Sequence, residues 1–177
     1  MHDRLEEVAK QNPGFRYTAI ISGPFLSWGI SSAFLGYDLA SKTARVYDGG
    51  NLRVTYSEIS QVGLAVTRAL SLNLCGYYRI SSITTTQNDI LSALERLSGE
   101  KWERKEESTQ QAFEVSAKMM KSQDEKERWE GSMLRAMRWV YGADCGGDWG
   151  EGDNDRFVLE GGELDEVVKV ALEGRYE

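Results

Sequence analysis

Arg16 to Gly36 reads RYTAIISGPFLSWGISSAFLG, and the fold follows from how this stretch is divided. Tyr17 to Ser22 is a short run rich in β-branched and aromatic residues, and it does not alternate apolar with polar. Such a run predicts a strand covered on both faces, as in a parallel sheet. Pro24 cannot donate a ladder hydrogen bond, so it closes the strand. Gly23 has no side chain, so another group can approach its backbone closely. The segment beyond is apolar, with Phe25, Leu26, Trp28, Ile30, Phe34 and Leu35.

Upstream, Asp3 to Gln11 predicts a charged helix that turns Leu5, Val8 and Ala9 inward. Asn12-Pro13-Gly14 ends it. Helix, turn and buried strand form the second half of a βαβ unit, whose first strand is expected before Met1. Downstream, Lys42–Asp48 and Leu52–Tyr56 flank Gly49-Gly50-Asn51. Two such runs predict a β-hairpin or a paired excursion from the main sheet. Ser57 is placed to cap a helix from Glu58 to Leu70 with Ile59, Val62, Ala65, Val66, Ala69 and Leu70 on one face.

Tyr77–Ile80 predicts a strand parallel to the one at Tyr17. Thr86 to Asp89 fits a capping box for a helix carrying Ile90, Leu91, Leu94 and Leu97 and ending near Gly99. Lys101–Glu106 predicts an edge strand anchored by Trp102. A second capping box at Ser108–Gln111 opens a helix with Phe113, Ala117 and Met120. A further helix starts near Ser122 and carries Trp129, Met133, Leu134, Met137 and Val140; Gly131 inside it costs about 1 kcal/mol relative to alanine. Gly142–Asp155 predicts a solvated, mobile loop. A last helix uses Leu164, Val167, Val168, Ala171 and Leu172.

The 177 residues are 41% hydrophobic, enough for a buried core, and the formal net charge is −7. That balance argues against a nucleic-acid surface, which needs a concentrated basic patch. No run reaches the ~18 apolar residues of a membrane span. Cys75 and Cys145 are far apart without metal-type spacing, so they are expected to be unpaired thiols in a reducing compartment, the cytoplasm. The one histidine, His2, sits at the frayed amino terminus and is not expected to catalyse or bind zinc. The acidic loop fails the calcium-loop pattern: counted from Asp153, the sixth position is Val158 where glycine is needed. No metal site is expected.

With these residues in place, the chain resembles the carboxy-terminal part of the NmrA-like and isoflavone-reductase-like family, atypical short-chain dehydrogenase/reductases. Four stretches carry the likeness: YTAIISGPFLSWG (Tyr17–Gly29), ARVYDGGN (Ala44–Asn51), EISQVGLAVTRAL (Glu58–Leu70) and YYRISSITTTQNDILSALERLSGEKW (Tyr77–Trp102). It covers roughly residues 1–105 and is weaker over 106–177. The resemblance implies an α/β fold: the carboxy-terminal part of a Rossmann-like NAD(P)-binding fold plus a substrate-side lobe, with the amino-terminal βαβ units missing. It implies a partial domain over 1–105 and a helical extension of the same lobe over 106–177, with its Gly/Asp-rich loop at 142–155.

The family's dinucleotide turn, Gly-x-x-Gly-x-x-Gly, lets a pyrophosphate approach a helix amino terminus. The nearest cluster here, Gly146 to Gly152, follows a helix and is flanked by Asp144, Asp148, Glu151 and Asp153, which repel phosphate. No residue matches the family's catalytic lysine or tyrosine–lysine arrangement, so no catalytic residue is assigned. Gln61 stands where the family often has an acidic residue. The resemblance implies NADP or NAD as cofactor, with Gly23, Pro24 and Phe25 beside its nicotinamide end and Phe25, Trp28 and Phe34 facing a small apolar or aromatic substrate. Three functions fit: a truncated relative of the reductases without activity alone, a non-catalytic NAD(P)-sensing regulator, or one lobe of an oxidoreductase. Exposed strand edges predict self-association or a partner chain.

Overall fold

The structure is a computed structural model that describes residues 2–145 and 147–175, without the His2 side chain. What the sequence suggests for His2 and for Gly146 lies outside the described residues. In chain order the elements are α1 (His2–Gln11), β1 (Thr18–Ile21), α2 (Leu26–Ser31), β2 (Tyr37–Asp38), β3 (Thr43–Tyr47), β4 (Arg53–Tyr56), α3 (Ile59–Ser71) and β5 (Gly76–Arg79). Then follow β6 (Ile83–Thr86), α4 (Gln87–Ser98), β7 (Glu103–Glu107), α5 (Thr109–Met119), α6 (Glu125–Tyr141) and α7 (Leu164–Leu172). Single 3-10 turns lie at Asp48–Gly50 and Asn154–Phe157.

β1 pairs in parallel with β5, Thr18 opposite Gly76, as the two runs predict. The cover differs from expectation. Thr18 and Ile21 are exposed and Ala19 and Ile20 only half-buried, so neither face of β1 is closed among the described residues. The non-alternating pattern marks a strand suited to two-sided burial; here α3 packs against one side and leaves it half-buried.

Residues 42–56 do not form a hairpin. β3 runs parallel to β7 and antiparallel to β2, while β4 pairs antiparallel with β6 in another sheet. The reason lies in the connecting turn. Asp48, Gly49 and Gly50 all have positive φ, one more than a two-residue hairpin turn uses. Two distant side chains hold that turn open: Asn88 Nδ2 donates to the Gly49 carbonyl at 3.0 Å, and Arg104 Nη2 donates to the same oxygen at 3.2 Å. A Cβ on Gly50 would meet Val46 Cγ1 at 2.4 Å. The chain therefore leaves one sheet and enters the next.

The cores divide unequally. The larger gathers α2, β3, β4, α4, α6 and α7 around Leu26, Ile30, Tyr37, Val46, Ile90, Leu94, Tyr141 and Val168. Tyr47 stacks on Tyr141 with ring centroids 5.5 Å apart. The smaller lies between β5, α3 and the second 3-10 turn and holds Ala65, Ala69, Tyr78, Ile80, Phe157 and Leu159.

Local signals decide most helix ends. Thr86 accepts from the Asp89 amide and Gly99 closes α4 in the left-handed region. Ser108 accepts from the Gln111 amide at the start of α5. The buried face of α5 is Thr109, Ala112 and Ser116, with Met120 exposed, so the helix is rotated from the Phe113–Ala117–Met120 face expected. α6 starts two residues later than its first signal, capped by Asp124, which accepts from the Lys126 and Glu127 amides. Gly131 is explained by packing: a Cβ there would meet Met119 Cβ at 2.8 Å, so the glycine lets α6 cross α5 closely. Trp102 anchors the edge strand β7 and is buried.

Ser57 does not cap α3. The cap position is Glu58, whose side chain makes no bond to the helix it precedes. Ser57 Oγ donates instead to the Ile80 carbonyl at 3.3 Å. The Glu58 carboxylate reaches 31 residues back and accepts from the Ser27 amide (3.1 Å) and hydroxyl, satisfying the first turn of α2.

Candidate functional site at the carboxyl ends of β1 and β5

Open parallel sheets place ligands in the crevice beyond the carboxyl ends of their strands. In this chain that position is held by Gly23, Pro24 and Phe25 after β1, and by Ile80 to Ser82 after β5. The carboxyl end of β1 is tied to β4: the Ser57 amide donates to the Pro24 carbonyl at 3.0 Å, the Leu26 amide donates to the Ser57 carbonyl at 3.2 Å, and Phe25 bridges Ser57 in parallel. Gly23 has φ +65°, and a Cβ on it would lie 2.4 Å from the Thr55 carbonyl and 2.8 Å from Trp149 Cη2. The glycine is thus required by a close approach, as its sequence suggests. The approaching groups are the backbone of β4 and an indole ring.

That indole belongs to the Gly/Asp-rich loop, which is docked rather than loose. The Thr55 amide donates to the Gly147 carbonyl at 2.8 Å, so the loop continues the edge of β4. Arg53 Nε donates to Asp148 Oδ2 at 3.0 Å, and the Gly150 amide donates to Asp148 Oδ1 at 2.8 Å. The Gly150 amide first, then Arg53, holds the Asp148 carboxyl below its ordinary pKa. On β5, the Arg79 amide donates to Asp153 Oδ2 at 2.9 Å, and the Asp153 amide returns a bond to the Arg79 carbonyl. Asn154 pairs with both backbone groups of Ser81, at 3.0 and 2.7 Å. Composition predicted mobility; these reciprocal pairs override it. Trp149 Nε1 is buried there without a hydrogen-bond partner.

Gln61 belongs to the same belt, donating to the Glu160 carbonyl at 3.1 Å. Arg68 donates to the carbonyls of Phe157 and Val158, closing the 3-10 turn onto α3. At the loop's start Arg138 pairs with Asp144 and draws that carboxyl's pKa down to about 2.

Trp28 and Phe34 lie elsewhere. Their rings sit 5.5 Å apart and form one wall of a groove of about 810 Å³. Trp129, Met133 and Met137 of α6 form the opposite wall, with Arg45 of β3 among the polar lining. Asp38, also at the groove, accepts from the Ser41 and Ala40 amides, which lower its pKa. Phe25 does not line this groove. The three α6 residues carry a signal visible in the sequence, their i, i+4, i+8 spacing on the helix expected after Ser122. Only Met137 is buried, and Trp129 is 64% exposed.

Tyr37 and Tyr141 hold their protons far above neutral pH, chiefly because burial disfavours the phenolate. Their hydroxyls donate to the Gln87 and Leu35 carbonyls at 3.0 and 3.2 Å. They are braces within the core. Cys75 and Cys145 are free thiols. Among the described residues no three His, Cys, Asp or Glu side chains come together as a cation site. Among the described residues no helix is long and apolar enough to cross a membrane.

No protein-family model matches the sequence. Among curated proteins, the chain is 37% identical over 97 residues to oxidoreductase aprR of Aspergillus flavus, a match covering 53% of this chain and 32% of that protein. The chain spans about a third of the length of the curated relatives it matches. Among solved structures, it resembles a nucleoside-diphosphate-sugar epimerase of Staphylococcus aureus, with TM-score 0.60, 16% identity, and 94% of this chain set against 55% of that one. It also resembles the Citrobacter sp. triphenylmethane reductase complexed with NADP(H), with TM-score 0.58, 17% identity and 93% against 56%. The architecture is therefore the mixed α/β, Rossmann-like arrangement of these NAD(P)-type folds, matched over little more than half of each.

Proposed function

We propose that this chain is the substrate-side half of an NmrA-like or isoflavone-reductase-like oxidoreductase fold, and that it has no reductase activity alone. Residues 1–105 supply the late Rossmann strands and part of the substrate lobe; residues 106–177 extend that lobe. Gly23, Pro24 and Phe25 form the wall for the nicotinamide end of NADP or NAD. Trp28 and Phe34 face a small apolar or aromatic substrate in the groove under α6.

One observation carries the reading: β1 and β5 are parallel neighbours, and β1 leads at its carboxyl end into a glycine that tolerates no side chain. Two further observations favour inactivity. Trp149 occupies the space against Gly23, and the only dense glycine cluster carries carboxylates, which disfavour a pyrophosphate. A dinucleotide on this wall needs phosphate-binding residues besides those of the Gly146–Gly152 cluster.

Calorimetric titration with NADPH tests this. The expected result is no measurable heat of binding. A micromolar or tighter dissociation constant would show a complete cofactor site within this chain and refute the reading.

A further inference from the structure

Residues 142–156 contain one large apolar side chain, Trp149; every other residue there is glycine, alanine, cysteine or polar. The segment runs from β4 to β5. At one end the Thr55 amide donates to the Gly147 carbonyl at 2.8 Å, and a Cβ on Gly147 would lie 2.6 Å from the Arg53 carbonyl oxygen. At the other end a Cβ on Gly152 would lie 2.6 Å from the Arg79 carbonyl oxygen, and Asp153 Oδ2 accepts from the Arg79 amide at 2.9 Å. Between these anchors the tip of the indole stands against Gly23, beyond the end of β1. Gly23 presents only backbone to the ring, and any side chain there would exclude it.

Two features mark the indole as a replaceable occupant. Its Nε1 is buried with no hydrogen-bond partner among the described residues, so closure takes a donor out of water without replacing the bond it had there. The side-chain pair that fastens the segment to β4 is also accessible to water. Arg53 is 62% exposed and Asp148 32%, and ion pairs in that position hold weakly. A segment anchored by a few polar bonds and one ring opens locally while the rest of the fold stays closed.

We propose that the space over Gly23 is a binding site for a planar aromatic ring, which the chain fills with its own Trp149, and that residues 147–154 form a strap that opens to exchange the indole for a ligand's ring. In the function proposed above that ring is the reduced nicotinamide, so the inference rests on that reading for the identity of the ligand. Competition sets the affinity. An external ring meets only the open fraction of the molecules, and its apparent dissociation constant rises by the inverse of that fraction. The two readings fail separately. NADPH binding would show a complete cofactor site, whereas the ring site is decided with indole, which carries no phosphate.

Titration of indole into the intact chain, followed by heteronuclear NMR at the Gly23 and Thr55 amides, is the test. Trp149→Ala should bind indole at these amides at least about 10-fold more tightly than the unaltered chain, because the internal competitor is gone. Asp153→Ala keeps Trp149 and removes an anchor of the strap. It should also tighten indole binding there, by less, and it serves if Trp149→Ala does not fold. A folded Trp149→Ala chain that takes no indole at Gly23, or takes it no more tightly than the unaltered chain, overturns the ring site. An Asp153→Ala chain that binds indole no better than the unaltered one shows a ring fixed in the core and overturns the strap.

Discussion

The two cores of this protein are built from similar residues and differ in how fully they are enclosed. Around α4, buried residues come from strands of two sheets and from α2, α6 and α7, which enclose it on several sides. Around α3, six buried residues lie under one helix and one turn, and the outer ridge of that helix stays in water. Helix patterning alone does not separate them, because α3 and α4 are comparably amphipathic. What separates them is supply. Among the described residues several elements surround α4, whereas β1 has one neighbouring strand, β5, and one covering helix, α3.

The comparison breaks most plainly on mutation. Leu94 is wholly buried in the larger core, and Leu94→Ala should cost about 2–5 kcal/mol in chemical denaturation. Leu70→Ala, in dilute protein, should stay within about 0.5 kcal/mol. Equal losses would mean that Leu70 is buried within the monomer and that the contrast is false.

A smaller effect sharpens the account of the loop that straps the lesser region. The Gly150 amide and then Arg53 depress the Asp148 carboxyl. Its contribution to stability is therefore present above the unfolded carboxyl value of about 3.9 and lost as pH falls through the lower folded value. Carboxyl titration by NMR should place its midpoint below 3.9, with Arg53→Met moving it upward. A midpoint at or above the ordinary aspartate value would mean that the loop is not docked through this pair.

How much of this was legible in the sequence follows the range of the interactions. Thr86 with Asp89, Ser108 with Gln111 and the Gly99 stop act within a turn, and those helix ends are readable from local residue types. The parallel pairing of β1 with β5 was readable because unbroken β-branched and aromatic runs require it. The parting of β3 from β4 was not, since Asn88 and Arg104 hold the turn from 39 and 55 residues away. Glu58 capping α2 was hidden for the same reason. At the candidate site, Gly23-Pro24 announced a close approach, but nothing nearby named Trp149 as the group that makes it. The polar pairs that dock residues 147–154 look in sequence like the composition of a free loop.

Hydrogen exchange of the backbone amides in dilute protein tests the central claim most directly. The account predicts that β1, β5 and α3 exchange faster than α4, β3 and α7 in dilute protein, through local opening of the half-covered region. Uniform protection of both regions in dilute protein would show that the two cores are equally enclosed and would contradict it.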